Sequence, residues 1–284
     1  MKIFICTNDN QLIGAKVSRQ SILNRSSFKE SDVSIVRQTD FQQLKKFFSS
    51  PYKRKGKIIE HEKNDMQSFT LLRFIIPELM AFKGRALVID PDVFLVQQGL
   101  EKILDFSRMD NAIYARKSSL NGSWSSSVML LDCSQLCHWN ISSYIEQMHA
   151  GSLDYDDLIN LRLEEKRIGE LETKWNEFDV IKENTILLHT TEKITQPWRT
   201  GLKLNSLITP LFYFFPRAPI YKLFGKNLTI GREHPQEAVK IFFMKELENC
   251  LSNGVIKVDE IDQAIERNFI RPDIFNELEK YKKK

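Results

Sequence analysis

Cysteine is scarce in this chain. Four residues in 284, Cys6, Cys133, Cys137 and Cys250, follow no recurring spacing, so no disulfide framework is expected and reduced, buried thiols are. Glycine-rich phosphate loops are missing as well. No Gly-x-Gly-x-x-Gly and no Gly-x-x-x-x-Gly-Lys-Ser/Thr occurs, which argues against dinucleotide binding and P-loop phosphoryl transfer. There is no Gly-x-Ser-x-Gly elbow. Cys133 and Cys137-His138 lack a second ligand pair, so they read as structural thiols and not as a zinc site. Long apolar runs are absent too. Ile3 to Cys6 stops at Thr7-Asn8-Asp9-Asn10 without the apolar core and cleavage site of a secretory signal. Leu207 to Phe224 is broken by Pro210, Pro216, Arg217 and Pro219, which excludes an ordinary membrane-spanning helix. A cytoplasmic location is the expectation.

What is present is an ordinary globular composition, 42% hydrophobic and 27% charged with a net charge of +4. The basic residues form no stripe with interleaved aromatics, so nucleic acid is not expected as a partner. Ile3 to Cys6 and Val33 to Val36 read as strands around a helix from Gly14 to Leu23. Phe69 to Phe82 suits a buried helix, kinked or restarted at Pro77. Buried strands follow at Arg85 to Ile89, Val93 to Val96, Ser127 to Leu131 and Thr185 to Leu188. Glu237 to Leu251 and Asp259 to Phe269 read as amphipathic helices. The alternation predicts an α/β fold, a mostly parallel central sheet flanked by helices with a helical C-terminal extension. The catalytic domain is expected over residues 1–204 and the extension over 205–284.

In such sheets ligands bind at the carboxyl ends of the strands, and Asn8, Asp90, Asp92 and His189 all fall there. Asp90-Pro91-Asp92 puts two carboxylates on one side of an extended segment. Hard cations such as Mg²⁺ or Mn²⁺ take oxygen ligands of that kind and keep positions for substrate phosphates. An isolated Asp-Pro-Asp is more often a solvated turn, but this one sits between two buried apolar runs. His189 alone is a commonplace strand-end histidine, and its imidazole can complete a metal site.

Taken in order, several short pieces resemble glycosyltransferase family 8, retaining enzymes of GT-A fold. They are Phe4 to Asn10, Leu71 to Glu78, Ala86 to Asp92, Ser127 to Asp132, Asp156 to Asn160, Lys174-Trp175-Asn176, and His189 with Gln196-Pro197-Trp198. The resemblance implies transfer of a sugar from a nucleoside diphosphate sugar, usually a UDP-sugar, to a saccharide or glycolipid acceptor. It implies Mn²⁺ or Mg²⁺ held by Asp90, Asp92 and His189. Cys6, Thr7, Asn8 and Asn10 would lie along the base and ribose, with Arg73 near the diphosphate or donor sugar. Asp156 and Asp157 would orient that sugar, although helix capping explains both equally well. The chain departs from the family at Ser125-Ser126-Ser127, where relatives carry Asn-x-Gly, and after His189, where Lys193 is the candidate substitute for a phosphate-binding lysine. A nucleotidyltransferase of similar topology and a non-catalytic sugar-nucleotide-binding relative are the alternatives. Phe212 to Phe215, with Arg217, Lys222, Lys226 and Arg232, could rest on an anionic membrane or form an ordinary helical cap.

Overall fold

The computed structural model describes residues 1–61, 65, 67–105, 110–118, 122–204 and 230–282. The first apolar run forms strand β1 (Lys2–Thr7), which leads into helix α1 (Leu12–Arg25) and strand β2 (Val33–Arg37). Helix α2 (Gln42–Phe47) precedes a small hairpin of β3 (Tyr52–Arg54) and β4 (Lys57–Ile59). Lys55 and Gly56 both have positive φ, 51° and 72°, the backbone that a two-residue hairpin turn with the right twist requires.

The expected helix at Phe69 to Phe82 is a 3-10 turn over Thr70–Ile75 followed by helix α3 (Ile76–Leu79). Pro77 accounts for the restart, because it supplies no N–H and suits only the first turn of a helix. Strands β5 (Arg85–Ile89), β6 (Val93–Leu95), β7 (Ile113–Lys117) and β8 (Trp124–Asp132) come next. They are followed by α4 (Ile141–His149), α5 (Tyr155–Ile159), β9 (Ile168–Glu170), β10 (Glu177–Phe178) and β11 (Leu187–His189). The C-terminal region supplies α6 (Glu237–Ser252), α7 (Val258–Glu266) and α8 (Ile274–Leu278).

Six strands make the main sheet, in the order β2-β1-β5-β8-β7-β9. β1 pairs in parallel with β2 and β5, and β7 with β9, while β8 runs antiparallel to both β5 and β7. Both faces are covered. Ile3, Ile5, Leu87, Ile89, Val128 and Leu130 pack on one side, and Phe4, Cys6, Ala86, Val88, Met129 and Leu131 on the other. Burial on both faces is why these strands read as unbroken apolar runs and not as alternating ones. Each fully buried aliphatic side chain contributes roughly 1.5–3 kcal/mol.

The direction of β8 fixes what reaches the site. Ile89 stands opposite Val128 and Arg85 opposite Asp132. The first residues of β8, Ser125 to Ser127, therefore arrive at the edge where β1 and β5 end, and Asp132 lies at the far edge, capping the turn at Cys133–Gln135.

Two compact units divide the chain, Met1–Glu177 with Asn184–Leu187, and Phe178–Glu183 with Leu188–Lys284. In the second, the Trp198 ring packs at a tilt against Phe243 with centroids 4.5 Å apart, and the Trp198 carbonyl accepts from the Arg271 amide at 2.8 Å. Gly231 lies so close to the Arg199 carbonyl that a Cβ would meet it at 1.9 Å, so only glycine fits there. Phe212 to Phe215, Arg217, Lys222 and Lys226 lie outside the described residues. Among the described residues no helix is long and apolar enough to cross a membrane.

Asp154 clamps the hairpin to α5. It caps α5 through the Asp156 amide at 2.9 Å and accepts from the Lys55 and Gly56 amides at 3.1 and 2.7 Å. Burial opposes its ionisation, but these three N–H groups outweigh burial and hold the carboxyl below its ordinary value. A depressed folded value means the stabilisation is complete above the unfolded pKa and is lost as pH falls through the folded one. Replacing Asp154 with Ala is expected to cost about 1–2 kcal/mol at neutral pH, read by urea unfolding, with the difference from wild type shrinking only in strong acid.

Candidate active site at the carboxyl edge of the sheet

β1 and β5 end side by side, with Ile5 opposite Ile89. Asp90 follows directly and is held in the strand direction by its amide, which donates to the Ser127 carbonyl at 3.0 Å. Pro91 turns the chain, the Val93 amide returns to the Asp90 carbonyl at 3.3 Å, and β6 begins. Asp90 and Asp92 are each 6% exposed and His189, at the end of β11, is 7% exposed. One ligand atom from each of the three lies within 4.8 Å of the others. Two carboxylates and an imidazole so placed form a donor set that fits a divalent metal ion.

Arg73 is buried beside them at 5% exposure. Its Nε donates to Asp90 Oδ1 at 3.0 Å, and its Nη2 donates to Oδ1 and Oδ2 at 2.7 and 2.6 Å. Nη1 donates to the Ser126 hydroxyl at 2.6 Å. A carboxylate offers about four lone-pair sites, so the fork on Asp90 leaves room for an ion. The 3-10 turn aims Arg73 inward from a segment whose remaining side chains, apart from Thr70, are apolar. The expectation placed this arginine near the diphosphate or donor sugar, and the structure shows it gripping the first carboxylate of the motif beside which they would lie.

The expected base and ribose residues divide into two groups. Asn8 and Asn10 line a cavity of about 420 Å³ together with Gln38, Phe48, His61 and Ser68. The Asn8 amide donates to Ser68 Oγ at 2.9 Å, and Ser68 donates to Gln38 Oε1 at 2.6 Å. Thr7 and Cys6 are fully buried behind it. Thr7 Oγ1 donates to the Asn8 carbonyl at 3.0 Å, and burial pushes the Cys6 thiol well up, so it stays protonated.

Asp156 and Asp157 occupy the first turn of α5. Asp156 faces Arg54 at 3.6 Å, and Asp157 pairs with Arg162 at 2.7 Å. The cap of α5 is Asp154, not either of them. Arg54, whose guanidinium also lies over the Tyr155 ring at 4.6 Å and 3.8 Å from Asp65, was not singled out by the sequence. A lone arginine in a short hairpin gives no pattern to read. Lys193 is half-buried in the turn after β11.

Within the second unit, Asp179 is a group the sequence did not flag. Asp179, held at φ 54°, has its amide on the His189 carbonyl at 3.0 Å. Burial disfavours its charge, yet the His234 ring 3.8 Å away and hydrogen bonds from the Thr191 hydroxyl and the Glu192 amide hold the carboxyl below its ordinary value. Asp179 thus fixes the turn that follows His189.

Against known structures the chain aligns with a galactosyltransferase, LgtC, solved in complex with donor and acceptor sugar analogs. The two are 14% identical, the alignment covers 70% of this chain and 89% of that one, and the TM-score is 0.50. The fold is the GT-A fold. A glycosyltransferase of Streptococcus pneumoniae, GlyE, aligns over 90% of this chain and 65% of its own at 15% identity and a TM-score of 0.49. Mouse xyloside xylosyltransferase 1 aligns over 67% and 97% at 12% identity and a TM-score of 0.45. No family model and no curated protein matches the sequence. The GT-A sheet with its helical C-terminal elements agrees with the architecture expected above.

The Arg73–Asp90 pair is desolvated on both sides, with side chains 6% and 8% exposed. Removing one partner of such a pair strands the other charge. Replacing Arg73 with Ala is expected to lower stability by roughly 3–5 kcal/mol in urea unfolding, and adding Asp90→Asn to that variant is expected to recover part of the loss. Additive losses from the two substitutions would show that the pair is not coupled.

Proposed function

We propose that the chain is a metal-dependent glycosyltransferase that moves a sugar from a nucleoside diphosphate sugar, UDP-linked, to a saccharide or glycolipid hydroxyl with retention at the anomeric carbon. The observation that carries this reading is the convergence of Asp90, Asp92 and His189 on one point at the carboxyl ends of the strands, where open α/β sheets bind ligands. The neighbour solved with donor and acceptor sugar analogs supports the same substrate classes.

A bound Mn²⁺ or Mg²⁺ supplies a Lewis acid for the charge that grows on a departing diphosphate. Asp90 and Asp92 provide the negative charge that retains the ion, and Arg73 offsets part of it while keeping Asp90 in one orientation. Asn8 and Asn10, on the wall of the neighbouring cavity, hold the base and ribose. Asp156 and Asp157, on α5, orient the donor sugar, and Lys193 approaches the phosphates. The bond from the anomeric carbon to the diphosphate oxygen breaks, a bond to the acceptor oxygen forms, and the acceptor hydroxyl's proton passes to the departing diphosphate. Residues 1–204 are the catalytic part in this reading, and 205–284 are an extension whose aromatic and basic residues contact an anionic membrane from the cytoplasmic side.

A thermal-shift screen of nucleoside diphosphate sugars with and without Mn²⁺ tests it. One donor with Mn²⁺, at about a hundredfold excess over Kd, is expected to raise Tm by roughly 5–10 °C, and neither component alone should do so. Asp92→Ala should remove the shift. A shift without release of the nucleoside diphosphate on adding acceptors would indicate a binding protein, and no shift with any donor would overturn the proposal.

A further inference from the structure

Ser126 is 3% exposed and its hydroxyl is engaged twice. It accepts from Arg73 Nη1 at 2.6 Å and donates to the Ile159 carbonyl at 2.6 Å. A hydroxyl carries one proton, so the direction is set, from guanidinium to hydroxyl to carbonyl. The guanidinium is planar and rigid. Fixing Nη1 therefore fixes the plane in which Nε and Nη2 meet Asp90. Ile159 is the last residue of α5, which carries Asp156 and Asp157, and the next turn passes through Leu161 at φ 54°.

The neighbouring serines do something else. Ser125 and Ser127 share a hydrogen bond at 2.7 Å, and Ser127 accepts from Asn176 Nδ2 at 3.1 Å. Ser126 is thus the member of the run turned toward Arg73, and an unpolar residue of similar size there would leave both the guanidinium N–H and the Ile159 carbonyl without this partner.

The geometry points to Ser126 as a positioning residue of the metal site, which orients the Asp90 carboxylate through Arg73 and ties it to the end of the helix bearing Asp156 and Asp157. It rests on the metal-dependent reading above and extends it to a residue that touches neither ion nor substrate. Groups that orient a metal ligand change affinity by about 10–100-fold when removed.

Mn²⁺ binding can be followed by loss of the free-ion signal in electron paramagnetic resonance, with and without uridine diphosphate. Ser126→Ala and Ser126→Val are expected to raise the Kd for Mn²⁺ by about 10-fold, whereas Ser126→Thr, which matches Val in shape and keeps the hydroxyl, should bind nearly as wild type does. Circular dichroism melts of all three establish that each variant is folded. A packing role would move Thr and Val together. Equal Mn²⁺ affinity for the Thr and Val variants, or wild-type affinity for Ala, would overturn the inference while leaving the metal site intact, provided wild type binds Mn²⁺ and Asp92→Ala does not. Failure of the wild-type protein itself to take up Mn²⁺ overturns the metal reading and this inference together.

Discussion

A carboxylate buried at 6% exposure must be paired, hydrogen-bonded or bound to a metal, because an isolated charge in that environment costs far more than a fold of this size can absorb. Asp90 meets that demand through Arg73, and much of the local architecture follows from the requirement. The segment before β5 must be a tight turn able to aim an arginine inward. β8 must run antiparallel so that its serine end, and not the end at Asp132, meets the guanidinium. The end of α5 must offer a carbonyl to that hydroxyl. Arg73 offsets one of the two negative charges, so the pair of aspartates can be close together and still retain an ion.

Much of the fold was legible in the sequence for a simple reason. Strands buried on both faces are continuous apolar runs, and β1, β5 and β8 each end or begin at a polar residue that marks the edge of the sheet. Asp90, Asp92 and His189 were found by that coincidence of position, before any geometry. Strand direction was not legible. Ser127 to Leu131 reads equally well up or down, and only the structure shows that Ser125 to Ser127 lie at the edge of the site while Asp132 caps a distant turn. Arg73 was recognised, but its grip on Asp90 was not, since spacing alone does not show which neighbouring aspartate a guanidinium meets.

Residues that act through others were the hardest to see. Ser126 sits in a run that looks like a departure from a motif, Asp154 precedes two aspartates that look more promising, and Asp179 follows an unremarkable Glu177–Phe178 strand. Each is defined by contacts with residues far along the chain: Ser126 with Arg73, Asp154 with Gly56, Asp179 with His234. Helix caps have a sequence signature, but hydrogen bonds between distant segments have none. The division of work that emerges is between a few residues at strand ends that would meet ion and donor, and a larger set behind them that keeps those groups in place.

Diffraction from crystals grown with Mn²⁺ and uridine diphosphate, recorded at the manganese absorption edge, tests the central claim most directly. One anomalous peak bounded by Asp90, Asp92 and His189, with diphosphate oxygens completing its coordination, is the expected result. A peak elsewhere on the chain, or diphosphate bound away from these three residues, would contradict it.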